Sequence, residues 1–172
     1  MELGLSLGSN LGDRLGNLRE ARRRIEALPG VVPLACSPVY ETRPVGVAPA
    51  TAHLWFLNAV LIVECAAELP AVSIALHAIE ADMGRVRGPD PNMPRVIDID
   101  VIYAGAARQA DSALTLPHPR WAGRRFVVQP LADVRPGLRL PGEARTVAEV
   151  LAALPDEEGV RRIGAETEWN VE

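Results

Sequence analysis

Asp98 and Asp100 lie in Arg95-Val96-Ile97-Asp98-Ile99-Asp100-Val101-Ile102, a segment otherwise dominated by β-branched apolar residues. That composition predicts a β-strand. Strand side chains alternate faces, so the two carboxylates project together, about 7 Å apart along the strand. Ile97, Ile99 and Val101 turn the other way, toward a core. Paired carboxylates on an apolar strand are costly unless a cation or a partner holds them. The loop just upstream, from Gly84 to Pro94, carries Arg85 and Arg87 and leads into Arg95. Acidic oxygens beside these guanidiniums suit a magnesium-bound polyphosphate: carboxylates hold the metal, and arginines neutralise phosphate oxygens. The competing reading is a set of surface ion pairs at a strand edge, which needs no ligand.

All 18 basic residues are arginine, and the chain has no lysine. This excludes a Walker-type P-loop and Schiff-base chemistry. Phosphate handling then falls to arginine, metal and backbone amides, although an arginine-only chain also follows from genome composition. The 172 residues, 48% hydrophobic and 23% charged, fit one ordinary globular domain with a single core. A net charge of −4 argues against broad binding to nucleic acid or anionic membrane. No apolar run approaches the roughly 20 residues of a membrane span. Met1-Glu2-Leu3-Gly4 starts no signal peptide, so the cytoplasm is the expected compartment. Cys36 and Cys65 form no CxxC pair and read as reduced, buried thiols. His53, His77 and His118 share no metal-ligand spacing, which argues against zinc.

The positioning elements follow from periodicity. Leu3, Leu5 and Leu7 alternate with polar or small residues in a first strand, broken by Gly8-Ser9-Asn10. Leu11, Leu15, Leu18, Ile25 and Leu28 recur at helical spacing until Pro29-Gly30. Ser9 and Asn10 are the expected N-caps of that helix. Val31 to Tyr40 is a second strand, irregular or at an edge because of Pro33 and Pro38. A Pro- and Gly-rich loop runs from Glu41 to about His53, long enough to be functional. In the third strand, Phe56 to Val63, Asn58 shares a face with Phe56, Val60 and Ile62, setting an amide into an apolar surface. Leu69, Val72, Leu76, Ile79 and Met83 mark a second helix, with Pro70 in its first turn and Gly84 as C-cap. The aspartate strand comes fourth. The resulting order, βαββαβ, is the α+β ferredoxin-like split-βαβ arrangement, an antiparallel sheet with helices packed on it. C-terminal additions follow, including an extended Leu114–Pro119 and a capping box at Thr146 to Glu149 that opens a short final helix. A single domain over 1–154 is expected, with a charged, loosely held tail over 155–172.

Several ordered segments carry a family resemblance. They are Gly8-Ser9-Asn10-Leu11, Tyr40-Glu41-Thr42 with Pro44-Val45-Gly46, Phe56-Leu57-Asn58-Ala59, Glu80 with Gly84-Arg85-Val86-Arg87, Pro94-Arg95 with Asp98-Ile99-Asp100, and Leu116-Pro117-His118-Pro119 with Arg124 and Phe126. Over residues 1 to about 154 the chain resembles 6-hydroxymethyl-7,8-dihydropterin pyrophosphokinases of folate biosynthesis. The resemblance implies pyrophosphoryl transfer from ATP to the pterin's hydroxymethyl oxygen, releasing AMP. It implies that Asp98 and Asp100 bridge two Mg²⁺ ions on the ATP phosphates. Arg85 and Arg95 would contact the phosphates during transfer, and Arg87 would assist on ATP. Glu80, His118 and Arg124 would belong to the nucleotide side. Phe56 and Phe126 would stack on the two pterin faces, while Asn58 and the Thr42–Val45 backbone would read its hydrogen-bonding edge. The implied partners are ATP and hydroxymethyldihydropterin, with a monomeric protein and neither nucleic acid nor membrane.

The chain departs from the family's pattern at Pro91-Asn92-Met93, at Pro119 and at Arg43, which puts loop closure and the shape of the adenine and pterin entrances in question. Duller readings exist for single residues. Phe56 and Phe126 can be core aromatics, Glu80 an exposed carboxylate paired with Arg87, Arg124 and Arg125 a solvated pair, and His77 a surface residue. Two other classes compete with the enzyme. A ligand-binding regulatory module has no need of Asp98, Asp100, Arg85 and Arg95 together. An RNA-binding domain needs a basic face and aromatics on its central strands, and the fourth strand has none near its two acids.

Overall fold

The computed structural model describes residues 1–86, 93–110, 114–155, 159–164 and 169. In chain order its elements are β1 (Glu2–Ser9), α1 (Arg14–Glu26), β2 (Val31–Cys36), β3 (Tyr40–Thr42), β4 (Phe56–Cys65), α2 (Leu69–Asp82) and β5 (Asp98–Ala104). A small ribbon, β6 (Gln109–Ala110) and β7 (Thr115–Leu116), then precedes α3 (Arg125–Val134), α4 (Val147–Ala153) and β8 (Val160–Arg162). The main sheet runs β5-β1-β4-β3-β8, with β2 also paired to β4. Every pairing in it is antiparallel. The first five strand segments and two helices thus have the expected split-βαβ order, with the second expected strand divided at Ser37-Pro38-Val39 into β2 and β3.

Alternation decides which residues enter which core. Leu3, Leu5 and Leu7 of β1, with Leu57, Ala59, Leu61 and Val63 of β4, face α1 and α2, whose Leu18, Ala21, Ile25, Val72, Leu76 and Ile79 complete one apolar layer. Val60 and Ile62 point to the opposite face, where Trp121, Val127, Val128, Leu131, Val147 and Val150 bring α3 and α4 onto the sheet. The C-terminal additions therefore cover the second face. The expected capping box is present at α4, with Glu149 N–H donating to Thr146 Oγ1 (3.2 Å) and Thr146 N–H to Glu149 Oε2 (2.6 Å).

Three expectations are corrected. Strand β5 begins at Asp98, not at Arg95. Before it, the Arg95 amide donates to Asn10 Oδ1 (2.7 Å) and its carbonyl accepts from Asn10 N–H (3.2 Å), so that peptide is already committed away from a ladder. Asn10 is accordingly not the cap of α1. The cap is Asp13, whose Oδ1 accepts from Gly16 N–H (2.9 Å). The C-terminal segment, expected to be loosely held, is built into the sheet where it is described. β8 pairs with β3, and Trp169 is 1% exposed, its indole N–H donating to the Ser37 carbonyl (2.8 Å). Arg22 lies 5.5 Å from the Trp169 ring and donates to its carbonyl (3.1 Å). One buried aromatic with a satisfied N–H outweighs the charged composition around it.

Candidate active site

Register brings three strands together at one level. Gly8 of β1 pairs with Asp98 of β5 on one side and Asn58 of β4 on the other; one step along, Ser6 pairs with Asp100 and Val60. Adjacent strands lie about 4.8 Å apart, which puts the Asp98 and Asn58 backbones about 10 Å from each other. Gly8 must be small, because a Cβ there would stand 2.7 Å from Asn58 Oδ1. Ser6, Gly8, Asn58, Asp98 and Asp100 floor a cleft of about 950 Å³, walled by Thr42 to Gly46, Arg85, Met93, Arg95, Pro119, Arg120 and the start of α3. That volume suits a substrate-sized ligand.

Asp98 and Asp100 share the cleft face, as alternation predicts, while Ile99 and Val101 enter the core behind them. Arg85 contacts both Asp98 and Glu80, and Arg95 Nη1 lies 3.3 Å from Asp98 Oδ2. Glu80 is only 1% exposed. Its Oε1 accepts from the Ile99 amide (2.7 Å), which places it behind the wall, anchoring Arg85 to β5. Arg95 Nε is buried without a hydrogen-bond partner among the described residues, a donor left over for a ligand.

Across the cleft, His118 Nε2 and Arg124 Nη1 each stand 4.0 Å from Asp100 Oδ2. Desolvation and the neighbouring Asp98 charge push the Asp100 carboxyl up, opposed by His118, Arg124 and Arg85. Burial holds the His118 imidazole below its usual range, with Arg124 and Arg120 adding to the effect against Asp100. His118 Nδ1 accepts from the Arg120 amide (3.1 Å). A neutral imidazole has one N–H, so His118 carries it on Nε2, facing the acidic site.

The other end carries the aromatic side chains. Phe56 and Phe126 both line the cleft, and each lies under a guanidinium: Arg95 is 5.5 Å from Phe56 and Arg124 5.5 Å from Phe126. Asn58 Nδ2 donates to Thr42 Oγ1 (2.6 Å), and Val45 is exposed on the loop above. Asn58 keeps a second N–H and its carbonyl for a ligand edge.

Of the residues expected to act, Arg85, Arg95, Asp98, Asp100, Arg124, Thr42, Val45, Phe56, Asn58 and Phe126 line this one cleft. His118 stands just behind, against Asp100, and Glu80 is buried beneath Arg85. Arg87, Pro91 and Asn92 lie outside the described residues. Sequence reasoning missed Ser6, Gly8 and Arg120 as cleft residues. The signal for the first two was available: Ser6 and Gly8 leave the end of one face of β1 without large side chains, whereas Gly4 on the same face is small to admit the Tyr103 ring.

The profile of the 7,8-dihydro-6-hydroxymethylpterin-pyrophosphokinase family matches residues 4–136. The chain belongs to this family. A Methylorubrum extorquens pyrophosphokinase, named for 2-amino-4-hydroxy-6-hydroxymethyldihydropteridine, is 40% identical over 159 residues, 92% of this chain and 96% of that protein. A Pseudomonas aeruginosa protein of the same name is 36% identical over 92% of this chain and 94% of its own length. In three dimensions the chain is similar to Plasmodium falciparum HPPK-DHPS with pteroate, with a TM-score of 0.67 and 13% identity. It spans 88% of this chain but 42% of that longer one, and the likeness speaks to the fold. The pyrophosphokinase profile takes in every strand and helix that lines the cleft and stops before α4 and β8.

Proposed function

We infer that the chain transfers the pyrophosphoryl group of ATP to the hydroxymethyl oxygen of 6-hydroxymethyl-7,8-dihydropterin, releasing AMP, in folate biosynthesis. The observation that carries this reading is the row Asp98-Gly8-Asn58 across three adjacent strands, with a charged end and an aromatic end in one cleft. Asp98 and Asp100 fit magnesium. They are two carboxylates on one face, and magnesium takes one or two carboxylates together with substrate phosphates and water. No group of three or more His, Cys, Asp or Glu side chains suited to a metal occurs among the described residues, and phosphate oxygens and water would supply the remaining ligands. Two Mg²⁺ ions held there with ATP would offset charge on the transferring phosphorus and its leaving group.

Every other part of the reaction falls to side chains in place. Phosphoryl transfer rests on positioning and charge stabilisation more than on a strong base. Arg85 and Arg95, held on Asp98 in this form, exchange that partner for phosphate oxygens, and the unpartnered Arg95 Nε supplies a further donor. His118 offers its Nε2–H to a phosphate without protonation, because the Arg120 amide occupies Nδ1. Glu80 keeps Arg85 aimed and touches no substrate itself. Phe56 and Phe126 stack on the pterin where guanidiniums now lie, while Asn58 and the Thr42–Val45 segment read its edge. Purified protein with ATP, Mg²⁺ and the pterin alcohol forms AMP and the pterin pyrophosphate; absence of AMP overturns the reading.

Two substitutions separate the subsites. Asn58→Ala removes the ligand's reading group and strands Thr42 Oγ1, so pterin affinity falls about 10- to 100-fold while ATP affinity is unchanged. Gly8→Ala drives a methyl against the Asn58 amide and lowers pterin affinity about tenfold by displacing it. Calorimetry with each ligand separately checks both; equal loss of ATP binding in either variant removes the subsite assignment.

A further inference from the structure

Strand β3 is only three residues long, yet it ends at Thr42, where the wall segment Arg43 to Gly46 begins. Its inner edge pairs with β4 at Asn58, Leu57 and Phe56. The outer edge is closed by the C-terminal segment, through Tyr40 to Arg162, Glu41 to Arg161 and Thr42 to Val160. The contact extends past both ends of the strand: the Arg43 amide donates to the Gly159 carbonyl (2.9 Å), and the Ile163 amide to the Val39 carbonyl (3.0 Å). Arg43 N–H is the first amide of the wall, so the C-terminal segment holds the loop at its root.

Arg161 adds a second attachment. It pairs with Glu41, just before the loop, and lies 5.5 Å from the ring of Trp55, just after it. Arg43 covers the same indole at 5.4 Å. Glu41 is largely enclosed, with its side chain 14% exposed, and also receives Arg14 at 3.0 Å, while Arg14 donates to the Trp55 carbonyl (2.8 Å). One cation from β8 thereby joins the two stems of the loop, and Trp169 keeps β8 in place by burying its indole beside Ser37.

We propose that the C-terminal strand clamps the pterin-side loop, with Arg161 as a positioning residue that sets pterin affinity without touching either substrate. The inference rests on assigning that wall to the pterin. Arg161 is 70% exposed, so its removal leaves the core intact and isolates the clamp from the fold. Arg161→Ala and Arg161→Lys in the full chain are titrated with 6-hydroxymethyl-7,8-dihydropterin in the presence of Mg²⁺ and α,β-methylene-ATP, and with the nucleotide alone. Loss of an exposed ion pair and a cation–π contact weakens pterin binding about three- to tenfold in the alanine variant. Lysine recovers part of it, nucleotide binding stays within about twofold, and the Arg43 amide exchanges its hydrogen faster. Unchanged pterin affinity in Arg161→Ala, or an equal loss of both ligands, overturns the clamp. If the parent protein binds no pterin, the functional assignment falls first, and unchanged exchange at Arg43 then overturns the clamp independently.

Discussion

Asp98→Ala and Asp100→Ala each lower turnover by at least about a thousandfold, the scale of losing charge stabilisation directed at a transferring phosphoryl group. The two variants differ in what they do to the empty protein. Asp98 holds Arg85 and Arg95, so its loss leaves Arg95 with a poorly compensated charge beside Phe56 and lowers Tm. Asp100 is a liability to the folded chain: desolvation and Asp98 disfavour its ionised form. Asp100→Asn therefore holds or raises Tm in metal-free buffer while turnover disappears, the trade expected where a site is built for a cation. Melting curves with and without Mg²⁺ and ATP check both halves. Added Mg²⁺-ATP raises the Tm of the parent protein and not that of Asp100→Asn. Near-parental turnover in either alanine variant would falsify the metal assignment.

Arg95→Ala lowers kcat about 100- to 1,000-fold, with a change of less than about tenfold in the ATP dissociation constant. The reasoning is geometric. Asn10 pins the Arg95 backbone through both its amide and its carbonyl, and metal and pterin free the guanidinium that now rests on Asp98 and over Phe56. A side chain rooted in this way beside the acidic pair can meet charge that develops during transfer. Single-turnover kinetics and nucleotide titration separate the two quantities. A variant that loses affinity and keeps kcat shows that Arg95 binds the ground state only.

Residues whose role depends on local spacing were legible from the chain alone. Alternation within one strand suffices to put Asp98 and Asp100 on one face and Ile99 and Val101 on the other. The same rule singles out Asn58 as an amide on an apolar face. Glu80 shows where that logic stops. A carboxylate on a helix has many possible partners, and only the packing of α2 against β5 brings it to the Ile99 amide and Arg85, behind the cleft rather than in it. Asn10 was misread for a related reason. Asparagine near a helix start is a good cap by propensity, but here the cap is Asp13 and Asn10 bonds a peptide 85 residues away.

The sequence by itself determined the order of strands and helices, the paired carboxylates, the all-arginine electrostatics and, through its ordered motifs, the family. Each of these follows from periodicity or residue chemistry along a short stretch. Tertiary structure alone decided the register that sets Gly8 between Asp98 and Asn58, and with it the distance between the charged and aromatic ends. It also decided the placing of His118 and Arg124 against Asp100, the closing of the sheet's second face by α3 and α4, and the docking of the C-terminal strand beside the loop root. These depend on contacts between residues far apart in the chain. Their free energy comes from burial and hydrogen bonding that exist only after the segments meet, so no local pattern encodes them.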